Sequence, residues 1–494
     1  MSNELHIKSP RSLSLAEAAL PIAALIILVG LSFFLFGDDG AKGPNQVALV
    51  MAALVALIIG RRAGHTLEDL REAAIASVGS GVGAIFILFA VGALIGTWAM
   101  CGTLMTMVYY GLKLLSPNYF YMTAALLCAV VSLSIGSSWT VVGTIGIGLM
   151  GIAVNMDLSP AITAGAIISG SYFGDRSSPL SDTANLTAAV AGVDLYRHLR
   201  EALWTSVPAL ALTLAIFWWL GEPGDFDASA KMEMIRNSFN VSPVLFLPLV
   251  VVVGLALMKV PPFTTIMVGS LVGALLAIMT EPERVVAFAA APDLPFPLAI
   301  LKGVWLAIAS GYTSATGYAV IDQLASRGGM DSMLNTVWLI ITALGFGGVI
   351  EKAGVVERLV SPVLAGVRST GSLVATLIGA TVATNIVTAD QYIAIMLPGR
   401  MFKTGFERRN LAPVVLSRAM ADSATVSSAL IPWNSCGAYM AATLGVATLS
   451  YAPFTFFNLL IPLISILYAY AGIRMLKKET QPSASQPPID HRAR

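Results

Sequence analysis

Apolar stretches of about 20 residues, each long enough to cross a bilayer as a helix, recur along this chain and are separated by short polar turns. They run roughly over 16–36, 46–60, 79–112, 119–135, 138–155, 160–190, 203–220, 241–258, 262–280, 296–320, 333–350, 370–402, 410–446 and 454–473. Some are too long for one crossing and others too short, so the pattern predicts an all-α polytopic membrane protein with about 11 to 14 spans, some of them broken. The first run exceeds a signal-peptide core and lacks a small-residue cleavage site, so it reads as an uncleaved span.

Only 12% of the residues are charged and 56% are hydrophobic, which fits a chain living in lipid. A net charge of +1 without a basic, aromatic-interleaved stripe argues against nucleic acid. Cys101, Cys128 and Cys436 stand alone in apolar segments, and His6, His65, His198 and His491 lie in polar ones. A zinc site or a histidine relay is therefore not expected, nor is any cofactor, and proton chemistry falls to carboxylates.

Lys and Arg near span ends set orientation. Lys8 and Arg11, Arg61 and Arg62, Arg197 and Arg200, and Arg474, Lys477 and Lys478 mark one side, with Asp38 and Asp39 opposite. Both termini are thus expected in the cytoplasm, with a tail over 1–15, a first membrane half over 16–220, a connector over 221–240, a second half over 241–476 and a tail over 477–494. Faint echoes link the halves. LLSP at 114–117 recurs as LVSP at 359–362, and Gly174-Asp175 as Ala421-Asp422, offsets of 245 and 247. The basic loop with Lys403, Arg408 and Arg409 precedes the second Asp segment, whereas Arg197 and Arg200 follow the first. That reversal predicts inverted-topology repeats with broken helices or re-entrant hairpins, an architecture of secondary transporters.

From Ala74 to Met156 the chain carries no Asp or Glu. Against that background each membrane carboxylate is a functional candidate: Asp175 and Asp182 in SYFGDRSSPLSDTANL, Asp390 and Asp422 in the second half, with Asp322 and Glu351 between them. Pro179 and Pro432 break helices beside two of these positions and free backbone carbonyls. Oxygen ligands of the kind hard cations prefer crowd the same places: Ser137, Ser138 and Thr140; Ser178, Thr183 and Asn185; Asn385 and Asn434. Asp175, Asp182 and Ser138 form the first choice for a sodium ion. Arg176 and Arg418 are charge partners of the aspartates or contacts for an organic anion. An aspartyl hydrolase would need a GxGD motif, and YFGD lacks its first glycine.

GSSWT (136–140), GTIGIGLMGIA (143–153), GDRSSPLSDTANL (174–186), GGMDSMLNTVW (328–338), TADQYIAIMLPGRMF (388–402) and DSATVSSALIPWNSCGAYMA (422–441) together resemble the NhaC-type sodium/proton antiporter family. The resemblance implies an inner-membrane carrier, not an enzyme, that exchanges cytoplasmic sodium for external protons by alternating access. Relatives that couple cations to malate, lactate or amino acids keep a small organic anion open as a further substrate, and a homodimer is compatible with it. Carried over by position, it points to Asp175, Ser178, Asp182 and Thr183 and to Asp390, Asp422 and Asn434. Arg176 stands where the family commonly has Lys, and Ala421 where an acid is expected.

Overall fold

The computed structural model describes residues 11–37, 40, 43–221, 229–318, 322 and 325–478. The outer parts of both expected tails, residues 222–228 of the expected connector, and Asp38 and Asp39 lie outside them. The described chain is helical, with only the isolated β-bridges Tyr312–Arg327 and Leu411–Lys477. Nine of its helices are long and apolar enough to cross a membrane, or up to 12 if three sharply bent pairs each count as one span. The protein is a multi-pass membrane protein, as the run lengths imply.

Two halves of the fold repeat with almost no slippage. Helix Pro117–Ile135 recurs as Thr370–Thr388, Ser138–Asn155 as Gln391–Arg408, Pro160–Ser177 as Pro413–Leu430, and Asp182–Ala191 as Ser435–Leu444. Every start and every end in these pairs is separated by 253 residues, as in 370 − 117 and 444 − 191. Even the junctions match. Gly136 and Ala389 both sit in the left-handed region, at φ 79° and 57°, and the next residues, Ser137 and Asp390, both cap the following helix with a side-chain oxygen. The offset of 247 suggested by the Gly-Asp and Ala-Asp echo is therefore six residues out of register. The structural counterpart of Asp175 is Ser428, and that of Asp422 is Ser169. Short dipeptide matches mislead because the repeat keeps its breaks and lengths rather than its charges.

Helix Pro160–Ser177 packs along Phe120–Ile135. At Gly170 and Gly174 a side chain would meet the backbone of Ala125 and of Ser132–Leu133, so these glycines allow the close crossing typical of membrane helices. The helix ends because Pro179 disfavours the α conformation at the residue before it, and Ser178 is extended (φ −88°, ψ 137°). Ser181 then caps helix Asp182–Ala191 by accepting from the Ala184 amide at 3.2 Å. The long 296–320 run is not one helix. It stops at Ser310, where Gly311 (φ 83°) turns the chain and Gly328–Gly329 tuck against the Gly92–Gly96 helix, the Gly329 amide donating to the Gly92 carbonyl at 2.7 Å. In that loop Asp322 accepts from Ser314, Thr316 and Gly317, and these bonds, above all the Thr316 amide, hold its carboxyl below the ordinary value. Asp322 anchors a turn. Glu351 lies exposed beside Lys352 at the end of helix Leu334–Lys352.

Candidate functional site

The breaks converge. A cavity of about 260 Å³ is lined by Ser137 and Trp139, by Asp175 and Asp182, by Asp390, Gln391 and Tyr392, and by Ser435 and Cys436, closed on one side by residues 80–87 and Pro262. Four helices begin at its wall: Ser138–Asn155, Asp182–Ala191, Gln391–Arg408 and Ser435–Leu444. A neighbouring cavity of about 360 Å³ shares Ser137 and Asp182 and adds Thr140, Pro179 and Lys259.

Asp175 is buried. Its Oδ2 accepts from the Ser138 hydroxyl at 2.6 Å and from the Ser138 amide at 3.3 Å, and its Oδ1 from the Ser181 hydroxyl at 2.7 Å. The second half repeats this contact in neutral form: Ser428 donates to the Gln391 side-chain oxygen at 3.1 Å, and both residues lie 253 positions after Asp175 and Ser138. Asp182, on the far side of the Pro179 break, is exposed to the cavity, and accepts from the Thr183 amide at 2.8 Å and from the Tyr392 hydroxyl. Asp390 is buried and caps its helix, accepting from the Ile393 amide at 2.9 Å.

Other expected ligands shape the breaks without facing this cavity. Ser178 accepts from the Leu180 amide at 3.2 Å, Thr183 shares a 3.0 Å bond with Ser181, and Asn185 donates to the Ser181 carbonyl at 2.6 Å. Thr140 bonds Ser137 at 3.1 Å. Asn385 donates to the Ala424 carbonyl at 2.6 Å, and Asn434 reaches back to Asn385 at 3.2 Å while capping the Ser435 helix. These amides hold the second break in shape.

Asp422 and the two arginines lie elsewhere. Successive residues on a helix point about 100° apart, so Arg176 leaves the cavity that Asp175 enters. It donates to Asp422, to the Ser206 hydroxyl, and to Thr205 and the Ala202 carbonyl at 3.3 Å each. Thr205 donates to the same Asp422 oxygen at 2.9 Å. Arg418 lies 3.7 Å from Glu201, which also pairs with Arg474. Arg176 pairs across the halves with Asp422 rather than with its neighbour Asp175. Among the described residues no three acidic, histidine or cysteine side chains form a metal cage, so an ion in the cavity would rely on hydroxyl and carbonyl oxygens as well as carboxylates.

The sequence profile of the Na+/H+ antiporter family matches residues 170–473. The chain is 37% identical over 469 residues to the Na+/H+ antiporter NhaC of Alkalihalophilus pseudofirmus, an overlap covering 94% of this chain and 98% of that one. The chain belongs to the Na+/H+ antiporter family. Within the reach of this family it is also 33% identical to the malate-2H+/Na+-lactate antiporter of Bacillus subtilis (94% and 96% covered) and 34% identical to the arginine/ornithine antiporter ArcD of Halobacterium salinarum (96% and 95% covered). The chain is thus a transporter and not an enzyme, as its membrane carboxylates and motifs implied.

Sequence reasoning passed over Gln391, Tyr392, Trp139 and Cys436, which complete the cavity wall. Their signal was the position just after a helix-breaking residue in each half, legible once the 253-residue repeat is known.

Proposed function

We propose that this antiporter exchanges sodium for protons by alternating access, with Asp175, Asp182 and Asp390 sharing the two kinds of cation. The observation that carries this reading is the cavity itself, where carboxylates from both repeats meet hydroxyls at four helix starts. Sodium is the cargo. It takes carboxylate oxygens of Asp175 and Asp182 and the Ser138 hydroxyl oxygen, which now donates to Asp175 and turns its lone pairs inward when the ion arrives. Protons take the carboxylates when sodium leaves. The empty, charged cavity resists reorientation because moving unpaired charge through a low-dielectric path is costly. Sodium-loaded and protonated forms move, and exchange follows. The two 253-residue units, taken as inverted repeats, would alternate access about the cavity they share, with both termini in the cytoplasm of an inner membrane.

Two of the named relatives are a malate-2H+/Na+-lactate antiporter and an arginine/ornithine antiporter. Against an obligatory organic anion here, Arg176 and Arg418 are engaged with Asp422 and Glu201 rather than facing the cavity. The test is purified protein in proteoliposomes with an internal pH dye, challenged separately with sodium, potassium, malate, lactate and amino acids. A sodium-driven pH change with no organic solute is expected, and Asp182→Asn should abolish it while protein yield is retained. A pH change that requires an organic solute, or near-normal exchange in Asp182→Asn, would overturn the reading.

A further inference from the structure

Tyr392 contacts a cavity carboxylate from the opposite repeat, yet neither its spacing from an acid nor its residue type marks it in the sequence. It lies 253 residues after Trp139, the same place in the other unit. The two equivalents are held differently. Trp139 stacks on Tyr439 with ring centroids 4.1 Å apart and planes 15° from parallel, and its carbonyl accepts from the Tyr439 hydroxyl at 2.7 Å. It is fixed in place. Tyr392 is 38% exposed, lines the cavity, and spends its hydroxyl on Asp182 Oδ2. The other oxygen of Asp182 is held by the Thr183 amide, so the Tyr392 hydroxyl occupies the side of the carboxylate open to an ion.

We infer that Tyr392 is a positioning residue that competes with the transported cation for Asp182. Resting on the exchange reading above, the inference adds a displacement step to it. A hydroxyl hydrogen and a sodium ion cannot share one lone pair, so the ion binds only the fraction of molecules in which the hydroxyl has swung away. Apparent affinity falls by that fraction. A proton arriving at the same oxygen meets the same barrier. Tyr392 therefore weakens cation binding at Asp182 and keeps its carboxylate oriented between turnovers.

Tyr392→Phe removes the hydroxyl and keeps the ring. A hydrogen bond to a charged group contributes enough for a tenfold or larger effect when buried, and the partial exposure here reduces that. The expected result is an apparent KM for sodium about three- to tenfold lower, with the maximal rate retained. A lower KM with the maximal rate retained follows from loss of a competitor, whereas a merely loosened structure lowers the maximal rate without tightening KM. An unchanged KM overturns the inference. So does a raised KM, which would make the hydroxyl a ligand of the ion. A second readout needs no transport: the sodium concentration giving half-maximal protection of the purified protein against heat should fall by the same factor. If wild type shows sodium protection but no sodium-driven pH change, the exchange reading fails while the Tyr392 comparison still stands or falls on the protection data. Should Tyr392→Phe not fold, Tyr392→Leu is measured the same way.

Discussion

Replacing Asp422 with Ala separates a charge that carries ions from a charge that holds the two repeats together. Asp422 and Arg176 are both buried, at 0% and 1% side-chain exposure. Removing one partner of such a pair costs about 3–5 kcal/mol, because the other is left as an uncompensated charge. Arg176 would retain Ser206, Thr205 and the Ala202 carbonyl, which puts the loss at the lower end, about 3 kcal/mol. That corresponds to roughly a hundredfold shift in the folded-to-unfolded ratio. Swapping both partners for apolar residues, Arg176→Met with Asp422→Leu, should recover most of the loss, since apolar replacements of buried pairs are often neutral or stabilising. Thr205 and Ser206 stay satisfied in the double variant through their own bonds to the Ala202 carbonyl at 3.1 and 2.9 Å. The assay is the fraction of detergent-purified protein that remains monodisperse after heating, read by size exclusion. Asp422→Ala should aggregate several degrees below wild type, with the double variant between them or level with wild type. An Asp422→Ala protein as heat-resistant as wild type but devoid of exchange would refute the reasoning and return Asp422 to the ion path.

Three further outcomes follow from the same geometry. Ser138→Ala removes the 2.6 Å hydroxyl contact to Asp175 but leaves its bonds from the Ser138 amide and Ser181, so the apparent KM for sodium should rise about tenfold, the scale of one charge-assisted bond; an unchanged KM in sodium-flux assays would remove Ser138 from the site. Gly174→Ala places a methyl group against the Ser132–Leu133 backbone, and the variant should not accumulate as folded protein, measured as the monodisperse peak of a fluorescent fusion. Gly30→Ala meets nothing within 4 Å and should leave that peak unchanged or slightly increased, because an alanine is favoured over glycine inside a helix by about 0.5–1 kcal/mol.

The run lengths and the scarcity of charge made the helical membrane fold legible, because lipid leaves the backbone few alternatives. Pro179 announced its break in the same way, through a steric rule that acts on one neighbouring residue. What stayed hidden was pairing over distance. Asp175 and Arg176 are neighbours in sequence, and nothing local says that one faces a cavity while the other crosses to Asp422. The repeat was visible as a tendency but misaligned by six residues, since its two copies conserve where helices start and stop. Ser137 answers to Asp390, and Asp175 to Ser428, so a search for matching charges finds the wrong partners. Asp182 and Asp390 looked unrelated in the chain and share one wall in the fold.

That exchange of a serine for an aspartate between copies has a consequence for the charge of the cavity. Each helix start contributes roughly half a positive charge, so the four that open on the cavity amount to about +2. Three carboxylates supply −3 when deprotonated. The difference is about one negative charge, which a single monovalent cation or a single proton neutralises. Had both copies kept an aspartate at the positions of Asp175 and Ser428, the deficit would be near two and the cavity would suit a second ion. Had neither, the two remaining carboxylates would balance the helix starts and leave no net charge for a cation to neutralise. The asymmetry between the copies thus sets the number of charges the cavity can hold without cost. Placing Asp at Ser428, beside Gln391, should therefore raise the number of sodium ions bound per protein, an effect that equilibrium binding of radioactive sodium would register and that an unchanged count would contradict.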